Sequence, residues 1–380
     1  VSEPFLPYGR QEITEADIAA VAEAVGSDLI TQGPRVAEFE RAFCDFTGAK
    51  HAVAFSSGTG ALHAAAAAAG WGPGDEVVVP PITFAASANC ALYVGARPRF
   101  VDIDRETWNI DVPAASEQAA EENVKGVVAV SFAGLPVDLD ALETPDGVIV
   151  IEDGCHALGG HRGGRPIGGP GGADMTTFSF HPVKSMTTGE GGMVTTESDA
   201  LAERLLRFRT HGIPPERDPD SPEGPWHYDM VDLGFNYRIT DIQAALGLSQ
   251  LGRLEGWVER RNELSESYRE LLADADGITP PPEAPTSSLH GRHLFPVLVA
   301  RGSEARKATF IRLREAGIGV QVHYIPVYRF SHYRETLGYP QDACPEAERY
   351  YAGCISLPMF PGMEDRDIER VVAELAQLVG

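Results

Sequence analysis

The chain has no apolar run approaching the ~20 residues a membrane span requires; its longest near-uniform stretch, Ala64 to Ala69, reads as a helix interior. The opening residues, VSEPFLPYGRQEI, lack a basic region followed by an apolar stretch, so no secretory signal is expected and the cytoplasm is the expected compartment. Basic residues are scarce, with 31 Lys and Arg against 55 Asp and Glu and a formal charge of −24. Such a field repels nucleic acid and anionic membranes, so neither is expected as a partner and any anionic ligand must be captured locally. The five cysteines, Cys44, Cys90, Cys155, Cys344 and Cys354, are scattered with no C-x-x-C pair; this argues against a zinc site or a disulfide framework. No G-x-x-x-x-G-K-[ST] loop or G-x-S-x-G elbow is present, which speaks against nucleotide hydrolysis and serine hydrolysis.

What remains is an ordinary soluble composition, 43% hydrophobic and 23% charged over 380 residues, long enough for two domains. From Lys50 onward, short apolar strands alternate with helical segments: strands at 51–55, 75–79, 97–101, 124–130, 147–151, 173–179 and 192–196, with an alanine-rich helix at 61–69 and a helix capped by Thr83 running to about Val94. This order predicts a mainly parallel sheet of seven strands with helices on both faces. Residues 212–229, rich in Pro, Gly and charge, read as a long surface loop. Thr240 caps one long amphipathic helix through Ile242, Leu246, Leu251, Leu254 and Val258. Strands at 293–299 and 319–324, a helix at about 303–316 and a last helix from about Asp365 suggest a smaller α+β unit. The expected division is 1–250 for a large domain and 251–380 for a small C-terminal one.

Three places carry chemistry. The turn from Ser57 to Gly60 sits between a strand and a helix, where backbone N–H groups and the hydroxyls of Ser57 and Thr59 can hold a phosphate. In isolation an ordinary glycine turn looks the same. A dinucleotide fingerprint is disfavoured, because His63 stands where the third small residue belongs. Asp153 ends an apolar strand and could pair with a protonated pyridine nitrogen; alone, it could equally be a solvated loop residue. Lys184 is set between aromatic Phe178 and Phe180, Pro182 and a Gly-rich exit, suiting a buried, tightly turned segment whose amine is freed by desolvation. A lone lysine is otherwise a surface charge. His156 and His181 lack metal-ligand spacing, so no metal is expected.

Taken together, SSGTGAL at 56–62, ITF at 82–84, EDGCHALGG at 152–160, FSFHPVKSMTTGEGG at 178–192, LGFNYRITDIQAALGLSQL at 233–251 and VQVHYIPVY at 320–328 resemble the DegT/DnrJ/EryC1/StrS family of sugar aminotransferases, in that family's order. The resemblance implies the α/β architecture of pyridoxal 5'-phosphate (PLP) fold type I, like aspartate aminotransferase, and a homodimer with active sites at the interface. It implies that Ser57, Gly58, Thr59 and Ser179 hold the cofactor phosphate, that Phe84 stacks on the ring, that Asp153 meets the ring nitrogen and that His156 lies near the ring hydroxyl. Lys184 would be the covalent partner and proton carrier, with Lys184, Asp153 and His156 the catalytic set. Asn236 would reach the phosphate in the neighbouring subunit. Tyr8, Thr31, Gln32, His181, Tyr237, Arg238, His323 and Tyr324 would line the substrate side.

The implied substrates are L-glutamate and a keto sugar nucleotide, PLP passing to pyridoxamine 5'-phosphate (PMP) and back. Within the family the likeness leans to the branch that aminates a UDP-4-keto-6-deoxy-N-acetylhexosamine at C4 on the route to pseudaminic acid. A dTDP-keto-deoxysugar aminated at C4 or C3 is the alternative, and a non-catalytic PLP-binding regulator a remoter one. Gly154 and Cys155 depart from the commoner Ala or Ser pair, and the 212–229 loop is longer and more acidic than the family pattern. Histidine replaces the lysine in a sugar-dehydrating branch; Lys184 argues against that chemistry.

Overall fold

The computed structural model describes residues 4–214 and 220–379. In chain order the first elements are α1 (Glu15–Val25), α2 (Pro34–Thr47), β1 (His51–Phe55), α3 (Gly58–Ala68), β2 (Glu76–Val79), α4 (Ala85–Tyr93), β3 (Arg97–Phe100), α5 (Val112–Ala119), β4 (Val124–Val130) and β5 (Ile149–Asp153). A short hairpin, β6 (His161–Arg162) and β7 (Arg165–Pro166), precedes β8 (Met175–Ser179), β9 (Gly192–Thr196), α6 (Asp199–Arg209), α7 (Asp241–Leu251) and α8 (Leu254–Leu272). The chain closes with β10 (Ile278–Thr279), β11 (Phe295–Val299), α9 (Gly302–Glu315), α10 (Pro345–Gly353), β12 (Cys354–Leu357) and α11 (Asp365–Val379).

Seven strands form one sheet in the order β1-β9-β8-β5-β4-β2-β3, in which only β9 runs antiparallel to its neighbours. The inner strands are unbroken apolar runs such as Val127, Val128 and Ala129, all buried, as expected where helices cover both faces. The alanines of α3 let that helix lie close against the sheet, and it is buried on nearly every side. A second, three-stranded sheet in the order β10-β11-β12 is antiparallel. It shares a core of Leu264, Tyr268, Phe295, Ile355 and Ile368 with the helices around it, and Leu6 from the start of the chain is packed into the same core. No helix among the described residues is long and apolar enough to cross a membrane.

Three local expectations need correction. Thr83 does not cap α4: the N-cap is Phe84, and the Thr83 hydroxyl is drawn instead to Ser87 Oγ at 2.7 Å. The helix begun at Thr240 is not continuous. It starts as expected, with Thr240 and Gln243 capping each other reciprocally, but ends at Leu251 and restarts at Leu254. Gly252 is a poor helix residue; it and Arg253 keep right-handed helical dihedrals across the break, and the Arg253 side chain grips Asp17. The segment 319–324 is extended but pairs only at points, Gly319 N–H with Leu6 O and Gln321 with Ser356, so it forms no strand. Sequence reading did not anticipate β12, α1 or α2. The described flanks of the 212–229 segment carry no helix or strand; residues 215–219 lie outside the described residues.

Asp17 fastens α1 to the break between α7 and α8. Its buried carboxylate accepts from Arg253 at 2.6 and 2.7 Å, Ser249 at 2.7 Å, Gln250 at 3.0 Å and its own helix's Thr14 N–H at 2.8 Å. Burial alone would raise its pKa; the hydrogen bonds from Arg253, Ser249 and Thr14 outweigh that and lower it to about 2. A depressed carboxyl stabilises the fold above its unfolded pKa, and that contribution disappears as pH falls toward the folded value. Asp17→Asn is therefore expected to lower stability at pH 7 by ~2 kcal/mol, with the gap from wild type narrowing between pH 4 and 2, as measured by urea unfolding at pH 7 and pH 3.

Candidate active site

The carboxyl ends of β4 and β5, the N-terminus of α3 and the loop between β8 and β9 border one cavity of about 400 Å³. Brought together there are Tyr8, Ser57, Gly58, Thr59, Phe84 and Asp153, with His156, Ser179, His181, Lys184, His323 and Tyr324. Thr31, Gln32, Asn236, Tyr237 and Arg238 do not border it. Thr31 bridges Thr240, and Gln32 and Arg238 border a separate cleft beside Arg209. Asn236 is exposed and bridges Thr210. Tyr237 packs against His63, whose ring nitrogen is 3.2 Å from its hydroxyl.

Ser57 is the N-cap of α3, its hydroxyl accepting from Gly60 N–H at 3.0 Å. The first turn therefore opens toward the cavity with N–H groups that the helix leaves unpaired. Gly58 has to be glycine: a Cβ there would stand 2.7 Å from Ser179 Cβ. That contact brings the Ser179 side chain against the start of the helix. Small residues and helix-end donors make an anion seat without a basic side chain, as the strongly acidic composition requires.

Asp153, 6% exposed, is the last residue of β5, in register with Val130 of β4 and Thr177 of β8. Its carboxylate is oriented from both sides, accepting from Ser87 Oγ at 2.5 Å and Cys155 N–H at 3.1 Å. Its neighbour Glu152 points the other way. Glu152 is fully buried with Arg162, also buried, and accepts from Ser131 Oγ at 2.5 Å, which binds the end of β5 to the loop after β4. That loop presents Ala133 N–H to His156 Nδ1 at 3.3 Å. Neutral His156 therefore carries its proton on Nε2, 3.2 Å from the Tyr324 hydroxyl. Burial, then Lys184 and His323, push His156 well below the ordinary histidine pKa, so the ring is neutral.

The sequence contains four lysines, Lys50, Lys125, Lys184 and Lys307. Three are exposed; Lys184 alone borders the cavity. Its backbone N–H is tied to His181 O at 2.9 Å. Burial pushes its amine below the usual lysine range, while Cys155 and Asp153 act in the opposite direction. A lysine so placed is a nucleophile and proton carrier. Thr83, Ser87, Glu190 and His293 also surround the site and were not singled out from the sequence, although Thr83 and Glu190 fall within the motifs at 82–84 and 178–192. The glycines of 189–192 pointed toward Glu190, but nothing marked His293. No group of acids, histidines and cysteines among the described residues could hold a metal ion.

The residues present fit PLP: an anion seat at Ser57–Thr59, a carboxylate for a ring nitrogen, an aromatic Phe84 at the mouth and one cavity lysine. Comparison with known proteins agrees. Spore coat polysaccharide biosynthesis protein SpsC of Bacillus subtilis is 38% identical, over 99% of this chain and 97% of its own. The Streptococcus pneumoniae protein Spr1654 in its PMP-form superposes with a TM-score of 0.91 at 30% identity, over 98% of this chain and 99% of that one; a PLP-form of it has been solved as well. PseC of Helicobacter pylori, an aminotransferase involved in the biosynthesis of pseudoaminic acid, superposes with a TM-score of 0.88 at 29% identity, over 99% of both chains. Residues 11–376 match the DegT/DnrJ/EryC1/StrS aminotransferase family, and the chain belongs to it as a PLP-dependent sugar aminotransferase of PLP fold type I.

Proposed function

We propose that this enzyme moves an amino group from L-glutamate to the keto carbon of a nucleotide-linked sugar, with a UDP-4-keto-6-deoxy-N-acetylhexosamine aminated at C4 as the best-supported acceptor. The observation that carries the reading is the meeting of Lys184, Asp153 and the N-terminus of α3 around one cavity. The likeness to PseC supports the acceptor.

Bound PLP supplies an aldehyde carbon that condenses with amines and a ring that takes up the electron pair left when a proton leaves the donor's Cα. The N–H groups of the first turn of α3, with the hydroxyls of Ser57, Thr59 and Ser179, would seat its phosphate. Asp153 would pair with the ring nitrogen; the Ser87 and Cys155 donors hold its carboxylate in position. Phe84 would cover the ring, and His156, neutral and tautomerically fixed, would face the ring oxygen. Lys184 Nζ would hold the cofactor covalently at its aldehyde carbon and, as a free amine, would carry the donor's Cα proton. Tyr8, His181, His323 and Tyr324 line the space left for the sugar.

The remaining residues expected at the site serve a different surface. Thr31, Gln32, Asn236, Tyr237 and Arg238 lie outside the cavity wall of their own chain, and a homodimer would deliver Asn236 to the partner's phosphate seat. Exposed Trp226, Met230, Val231 and Leu233 in the adjoining segment give such a pairing an apolar surface to cover. The division into domains at 1–250 and 251–380 is part of the same proposal, with the cavity between them.

Lys184→Ala is expected to lower turnover at least ~10⁴-fold and to remove the visible absorbance band of lysine-bound PLP. Asp153→Asn should slow the glutamate half-reaction at least ~100-fold with the unfolding midpoint nearly unchanged, read by single-turnover absorbance. Ser87→Ala, which leaves the carboxylate in place but removes its buried donor, should cost about 10-fold. Incubation with L-glutamate and a panel of UDP- and dTDP-linked 3-keto and 4-keto sugars, followed by mass, identifies the acceptor. Amination of dTDP sugars only would replace the UDP assignment.

A further inference from the structure

The three histidines around Lys184, buried His156 and His293 and half-buried His323, differ in what their nitrogens have left to offer. His156 has both engaged, with Ala133 N–H and the Tyr324 hydroxyl. His323 has Nδ1 2.8 Å from Ser356 Oγ. His293, 4% exposed, borders the cavity, yet its Nδ1 is shut away from solvent with no hydrogen-bond partner among the described residues. An orphaned buried N–H is rarer and costlier than an orphaned lone pair, so the neutral ring keeps its proton on Nε2. Since Nδ1 is sealed in, the edge that meets the cavity is the one carrying Nε2. Protonating Nδ1 would strand an N–H in the interior, and burial, Lys184 and His156 all hold the ring neutral.

The backbone fixes this arrangement. His293 N–H donates to Ala133 O at 3.0 Å, in the same loop that orients His156, and the two rings lie 4.6 Å apart. Behind it, the fully buried Arg261 donates to the carbonyls of Arg292, His293 and Met359. An unengaged donor held this firmly in a cavity wall has a ligand-facing role. Among the described residues Lys184 is the only Lys or Arg bordering the cavity, and Asp153 and Glu190 are acids. On the wall that this chain builds, the carboxylates of an amino donor therefore meet mostly neutral N–H and O–H groups. A carboxylate only accepts hydrogen bonds, whereas sugar hydroxyls also donate; a ring that can only donate into the cavity complements the carboxylate.

We propose that His293 donates its Nε2–H to a carboxylate oxygen of the amino donor and is a donor-specificity residue of the glutamate half-reaction. The assignment rests on the aminotransferase reading above. It is tested on PLP-loaded wild type, His293→Phe, which keeps the ring shape without the donor, and His293→Gln, which keeps an N–H. Three quantities are read: the apparent Kd for L-glutamate in single turnover, calorimetric binding of unreactive glutarate, and the KM for the keto sugar nucleotide. His293→Phe should weaken glutamate and glutarate ~10–100-fold while changing the sugar KM less than ~3-fold and leaving PLP content intact; His293→Gln should recover most of the loss. Unchanged dicarboxylate binding in His293→Phe, an equal loss toward both substrates, or a Gln variant as impaired as Phe would overturn the proposal. If His293→Phe does not fold, His293→Gln decides, and a selective loss of sugar affinity in it is contradictory. Wild type that transaminates from glutamate while the variants behave alike sinks only the role of His293; wild type that holds PLP but does not react with glutamate removes the donor assignment as well.

Discussion

The site depends on the opposition at Lys184 between burial, which lowers the pKa of the amine, and Cys155 and Asp153, which favour its charged form. Each group offsets part of the solvation that the other loses in the cavity wall. Ser87 and the Cys155 N–H stabilise the carboxylate. The two residues arrive from separate parts of the sheet, Asp153 from β5 and Lys184 from the loop linking antiparallel β9 to β8. The reversal of β9 lets that loop cross over the carboxyl ends of the parallel strands.

A second constraint is the protein's acidity. With a net charge of −24, attraction of anions over the whole surface is unavailable, and the cavity holds one basic side chain. Anion capture falls to oriented neutral dipoles: the first turn of α3 for phosphate and, in the proposal made here, a histidine N–H for carboxylate. Such donors act at contact distance, where the long-range field matters least. The joint formed by residues 131–135, His156 and His293 then carries a double duty, connecting the large sheet to the strand β11 and setting the hydrogen-bond directions in the cavity wall.

Much of this was legible in the sequence because it rests on local chemistry. Apolar runs between turn residues located all seven strands of the main sheet to within a few residues, and the parallel class followed from their alternation with helices. Lys184, Asp153 and the Ser57–Thr59 turn were each ambiguous alone and became legible only together, from the order of the motifs that contain them. The two helices before Lys50 were not, nor was β12. The break at Gly252 was hidden because the apolar spacing runs straight across it, and only the tertiary pull of Asp17 on Arg253 reveals it. Thr83 resembled a helix cap until Ser87 was seen to compete for its hydroxyl. His293 and Ser87 left no trace in spacing, since the Ala133 carbonyl that His293 meets and the Asp153 carboxylate that Ser87 meets are far from them in sequence.

The most direct measurement exploits the chain's four lysines. The PLP-loaded protein is reduced with borohydride, digested and mapped by mass spectrometry. A pyridoxyl group on Lys184, absent when the protein is first treated with L-glutamate, is the expected result; a group on Lys50, Lys125 or Lys307 instead, or none on any lysine, would contradict it.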